Sequence, residues 1–153
     1  MLFRSVERSG NGREGCGSIT AFYTVLSEGD DQQDPIADAA RGILDGHIVL
    51  SRALAEAGHF PAIDVEKSVS RVMNSVAGKE HVQQARRARA MLARLTKARD
   101  LIQLGAYAPG HDTDLDAAVR LHPSMSDLLQ QDMHSRCDLA TSQRDLRALV
   151  AQA

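Results

Sequence analysis

A chain of 153 residues can form one domain, or part of one with a small second domain beside it. Its net charge of −2 argues against a general nucleic-acid binder, which is usually basic overall. Hydrophobic residues make up 43%, enough for a core, but aromatics only 3%, so Leu, Val, Ile and Ala must supply most of the burial.

In chain order, the opening MLFRS reads as the ragged edge of a truncated gene. Residues 9–17 (SGNGREGCG) form a glycine-rich loop. Residues 18–26 (SITAFYTVL) are rich in β-branched and aromatic types and predict a buried strand. An acidic loop follows at 28–35. Pro35 suits the first position of a helix, with Asp34 as its N-cap. That helix covers 36–44 and ends at the Asp45-Gly46 turn. Residues 47–51 (HIVLS) predict a second strand, and 52–57 a helical turn stopped by Gly58. Residues 60–64 are extended, because Pro61 restricts the residue before it. Residues 65–72 fit either a short helix or an irregular loop. Strand, helix, strand in this span implies an α/β fold with a parallel sheet.

From residue 79 the grammar is helical. Val82, Ala85, Ala88, Met91, Leu92, Leu95, Ala98 and Ile102 recur at three- and four-residue steps, predicting one long helix over 80–104 that Gly105 ends. Ala108-Pro109-Gly110 is a turn. Asp112 or Thr113 caps a helix over 115–121, Pro123 opens a separate one over 124–132, and a last helix covers 142–151. No apolar run is long enough to span a membrane, and no signal-peptide pattern is present. Cys16 and Cys137 lie far apart without metal-ligand spacing, so reduced thiols are expected. A G-x-x-x-x-G-K-[ST] phosphate loop occurs nowhere in the 153 residues.

Four strings carry a resemblance: VERSGNG (6–12), GSITAFYTVLSEGDDQQDPIAD (17–38), ILDGHIVLSRALAEAGHFPAID (43–64) and SVSRVM (68–73). They closely resemble the flagellar protein export ATPases, also called flagellum-specific ATP synthases. These are relatives of the virulence type III secretion ATPases and of the F-type ATP synthase catalytic subunit. LIQLGAYAPGHDTDLDAAV (101–119) and LLQQ (128–131) match more loosely. The GAY-x-x-G-x-D turn favours the flagellar branch over the virulence branch, where GEY is more usual. The resemblance implies that 1–78 is the C-terminal part of a RecA-like nucleotide-binding domain and 79–153 a C-terminal helical domain. The family's phosphate loop, Mg²⁺-binding acidic strand and general-base glutamate have no counterpart here. ATP and Mg²⁺ are therefore expected in a full-length parent, and tight binding or hydrolysis by this chain alone is not.

The resemblance also assigns roles. The arginine in the place of Arg71 reaches across a subunit boundary to the γ-phosphate of ATP held by the neighbour; read from its residues alone, Arg71 is an ion-paired loop arginine. The aromatic in the place of Phe60 lies against the adenine of the subunit's own nucleotide; the plain alternative is a core Phe beside Pro61. Asp30 and Asp31 correspond to a loop that faces a central stalk, while Asp34 reads as the helix cap. The turn 108–116 matches a tip that touches the rotor in relatives. His47 and His59 read as structural. Arg86, Arg87, Arg89, Arg94, Lys97 and Arg99 read first as a charged outer face, and second as a contact for acidic lipid or an acidic partner. Implied partners are copies of itself in a homohexamer, a coiled-coil stalk protein, a negative regulator, export chaperones with cargo, and an export gate. The implied place is cytoplasmic, peripheral at the inner membrane. A virulence secretion ATPase and a non-enzymatic interaction module are the alternatives.

Overall fold

The computed structural model describes residues 9–26 and 35–153; Asp30, Asp31 and Asp34 lie outside them. The chain divides into two compact units, 1–47 and 48–153.

In the first unit, β1 (Gly10–Asn11) pairs antiparallel with β2 (Ser18–Ile19), Gly10 opposite Ile19 and Asn11 opposite Ser18. The turn between them closes through Gly12 N–H to the Gly17 carbonyl at 3.1 Å. Only glycine fits at position 12, since a Cβ there would meet the Gly17 oxygen at 2.5 Å. The buried strand expected over 18–26 is therefore reduced to two residues. Phe22 is 90% exposed and Leu26 91%. An apolar run of this kind needs neighbours on both faces, and among the described residues β1 alone pairs with it. Helix α1 (Pro35–Ile43) begins at Pro35, as the sequence predicts, and buries Ala37 and Ala40.

Strand β3 (Gly46–Leu50) straddles the division and pairs with β4 (Ile63–Ser70). β2 and β3 belong to different two-stranded sheets, so the parallel pairing implied by their order is not made among the described residues. Helix α2 (Arg52–Glu56) joins β3 to β4. The Ser51 hydroxyl caps it by accepting from Leu54 N–H at 3.3 Å, and Gly58 stops it with φ +75°. Residues 63–70, read from sequence as helix or loop beyond 64, form a strand. Asp64 explains the mixed signal: its carboxylate accepts both Glu66 and Lys67 N–H at 3.1 Å, a turn set inside the strand.

The short helix α3 (Met73–Val76) leads to α4 (Lys79–Gln103), α5 (Thr113–Leu129) and α6 (Leu139–Val150). α4 follows the three- and four-residue periodicity closely. α5 is one helix where two were expected. Pro123 lies inside it and removes a backbone donor, but Ala118, Leu121 and Met125 flank the proline and enter the same core. Their burial outweighs the lost hydrogen bond. α6 starts three residues earlier than expected, because Asp138 caps it by accepting from Thr141 N–H at 2.7 Å. That bond and the Thr141 hydroxyl hold the Asp138 carboxyl below its ordinary value. The three helices close on Met91, Ala118, Leu121, Met125, Leu149 and Val150, with Ala88, Leu92 and Leu95 of α4 packed against them. The molecule is thus an α/β portion followed by a small helical bundle.

Candidate functional site

The two site residues singled out from sequence sit at opposite ends of β4. Phe60 precedes it. Arg71 follows its last residue. The structure does not bring them together, and an eight-residue strand separates them.

At the first end, α2 and its Gly58 stop turn the chain so that the Phe60 ring is 57% exposed. This is not the burial of a core phenylalanine. The backbone beside the ring is fixed from the bundle: Gln131 N–H donates to the Phe60 carbonyl at 3.0 Å. The Gln130 amide meets His59 Nδ1 at 3.2 Å. A ring held at its backbone with an open face can stack on a planar base.

At the second end, Arg71 is exposed in a bend between β4 and α3. Val69 (41%), Val72 (37%) and Val76 (77%) surround it in sequence and are exposed as well. Asn74 and Arg86 line an open depression of about 220 Å³ between α3 and α4, with Lys79, Val82 and Gln83. The segment is tied to α4. The Arg89 guanidinium donates to the Glu66 carbonyl at 2.8 Å and the Ser68 carbonyl at 3.1 Å. Thr96 donates to the Glu66 carboxylate at 2.7 Å, and Arg86 to the Asn74 side-chain oxygen at 3.1 Å.

The basic face of α4 is therefore largely spent inside the chain. Arg94 bridges to Asp112 at 3.3 Å and Asp114 at 2.7 Å, and Arg87 donates to the Ala153 carbonyl at 2.9 Å. These ties could not be read from the sequence. Half of the acceptors, those of Glu66, Ser68 and Ala153, are backbone carbonyls, which leave no residue-type signal.

The α4–α5 turn is braced within itself. Tyr107 OH donates to one Asp116 carboxylate oxygen, and Gly110 N–H donates to the other at 2.8 Å. Asp112 caps α5 by accepting Asp114 and Leu115 N–H, each at 3.0 Å. The GAY-x-x-G-x-D spacing supplies Tyr107, Gly110 and the cap Asp112, while Asp116, the acceptor of the brace, lies four residues beyond it.

Residues 1–70 match the family model of the ATP synthase alpha/beta family, nucleotide-binding domain, and residues 77–148 that of the T3SS EscN ATPase C-terminal domain. Arg71 falls in the short gap between them. The flagellum-specific ATP synthase of Pseudomonas aeruginosa is 56% identical over 150 residues, which cover 98% of this chain and 33% of that protein. The type 3 secretion system ATPase of Pseudomonas savastanoi pv. phaseolicola is 45% identical over 152 residues, 99% of this chain and 33% of the relative. The assembled ATPase EscN of the enteropathogenic E. coli type III secretion system superposes with TM-score 0.91 at 40% identity, over 97% of this chain and 36% of that one. EscN in complex with its central stalk EscO superposes with TM-score 0.85 at 38% identity, over 97% and 36%. These likenesses define the class: the end of an ATP synthase alpha/beta-type nucleotide-binding domain followed by a type III secretion ATPase C-terminal domain. Within that class, the chain belongs to the ATP synthase alpha/beta family, in its branch of flagellum-specific and type III secretion ATPases. It spans about a third of the length of these relatives.

Proposed function

We propose that this chain supplies one side of a shared ATP site, and a stalk-facing helical domain, in the ATPase that energises flagellar type III protein export. The observation that carries the reading is the presentation of Arg71. It is an exposed arginine at a strand end, set among exposed valines, on a backbone tied to the longest helix. An apolar rim around a forked cation suits a boundary with a second subunit. Phosphoryl transfer is helped by a fixed, always-charged donor that meets charge spread over phosphoryl oxygens. Phe60, at the other end of β4, faces the adenine of the chain's own nucleotide. One subunit then serves two nucleotides, one at each end of the strand.

The residues present fit the edges of ATP. They offer a π-face for the base and a guanidinium for a neighbour's γ-phosphate, but no loop to grip the triphosphate. Mg²⁺ in this reading belongs with the phosphate-gripping groups of the full-length parent. In this reading the working division is 1–78 and 79–153, close to the limits of the two family models. The turn at 108–116 meets a coiled-coil stalk; the similar ATPase EscN has been solved in complex with its central stalk EscO. The homohexamer works at the cytoplasmic face of the inner membrane beside the export gate, with a negative regulator and with chaperones and their cargo. The higher identity to the flagellar relative favours flagellar over virulence export.

The test joins the upstream two-thirds of the P. aeruginosa relative to this chain. Arg71→Ala should lower kcat on the order of a thousandfold with nucleotide binding unchanged. Arg71→Lys should rescue poorly, because an ammonium lacks the planar fork. An Arg71→Ala hexamer that hydrolyses at the parental rate overturns the reading.

A further inference from the structure

Arg89 and Arg86 stand one turn apart on the same face of α4, and together they bracket the segment that carries Arg71. Arg89 ties down the Glu66 and Ser68 carbonyls, 23 and 21 residues away in sequence. Arg86 ties Asn74, on the far side of the bend. Thr96, two turns further along α4, holds the Glu66 carboxylate. Arg71 lies midway between Ser68 and Asn74. β3 holds the strand from one side, with Val49 N–H donating to the Ser68 hydroxyl at 3.0 Å, and the two arginines set its end from the α4 side. We propose that Arg89, assisted by Arg86, is a positioning residue for Arg71: its forked donors fix the strand end so that the Arg71 guanidinium stands at one place relative to the neighbouring subunit's phosphate.

This rests on the reading of Arg71 as a donor acting in trans. The fork matters because its two separate nitrogens hold two carbonyls of one strand at once, whereas a lysine carries its three N–H donors on one nitrogen and lacks that planar spacing. Displacing a catalytic donor by about 1 Å can cost up to about a hundredfold in rate. Removing Arg89 should therefore lower kcat without changing how tightly ATP is held.

Two measurements decide it. In the chimeric hexamer, Arg89→Ala should lower kcat roughly ten- to a hundredfold with KM for ATP and hexamer assembly unchanged, and Arg89→Lys should recover part of the loss. The same Arg89→Ala change made on top of Arg71→Ala should cost nothing more, because the residue acts only through Arg71. Equal losses in both backgrounds mean a general structural role and overturn the proposal, as does an unchanged kcat. A hexamer in which Arg71→Ala itself has no effect sinks the Arg71 reading instead, so the two failures are distinct. In this chain alone, Arg89→Ala should speed hydrogen exchange at the amides of residues 67–72 while leaving the Met91–Met125 core protected. Unchanged exchange there overturns the proposal whatever the chimera does.

Discussion

A carboxylate that accepts two hydrogen bonds is harder to protonate, and Asp116 is such a group. The Tyr107 hydroxyl is the main cause, and Gly110 N–H the second, of an Asp116 carboxyl held below its ordinary value of 3.8. The same bond, helped by desolvation and the nearby Asp116 charge, pushes the Tyr107 hydroxyl above its ordinary 10.0. The signs follow from linkage. Asp116 contributes stability that is present above 3.8 and lost as pH falls through its depressed value. Tyr107 contributes stability that is present below 10.0 and lost as pH rises through its raised value. The brace should thus stay closed across the neutral range and open at both extremes. A titration of the Gly110 amide resonance should show an acid midpoint below 3.8 that Asp116→Asn abolishes; a midpoint at or above that value means the brace does not form.

Among the elements, α5 depends most on its core. Met125 is 2% exposed and packs across from Met91 and Leu149. Met125→Ala should cost about 2–5 kcal/mol, read as a lowered urea midpoint with an unchanged slope. A loss below about 1 kcal/mol would mean that the bundle collapses around the gap. α5 also shows where sequence reading stops. α4 was legible almost to the residue, because its apolar spacing repeats over seven turns. α5 was read as two helices, because a proline is a strong local stop and the burial on both sides of it is a tertiary fact. β4 was read as helix or loop, because Asp64 writes a turn signal into a strand. Arg71 carries no signal of its own beyond the SVSRVM string that surrounds it. The ties that hold its segment involve pairs more than ten residues apart, which spacing does not encode.

For the molecule as a whole, stability should be uneven. β1 and β2 are two residues each and exposed, whereas α4, α5 and α6 share one core. Amides of 10–19 should exchange well before those of α4. Equal protection would contradict this division of stability. On the proposed reading the chain carries both edges of a nucleotide site, and its 153 residues hold no phosphate-loop motif. Purified alone, it should show no magnesium-dependent ATP hydrolysis above blank; activity that survives further purification would contradict that account.

Whether Arg71 works on a neighbour's nucleotide is decided by mixed hexamers. One subunit carries Arg71→Ala with an intact phosphate loop. The other keeps Arg71 and has a disabled phosphate loop. Each is inactive alone. If the site is shared, the mixture regains ATP hydrolysis, because an intact loop then sits beside an intact Arg71. Mixed hexamers that assemble and stay inactive would contradict the claim and leave Arg71 as an ion-paired arginine at the end of β4.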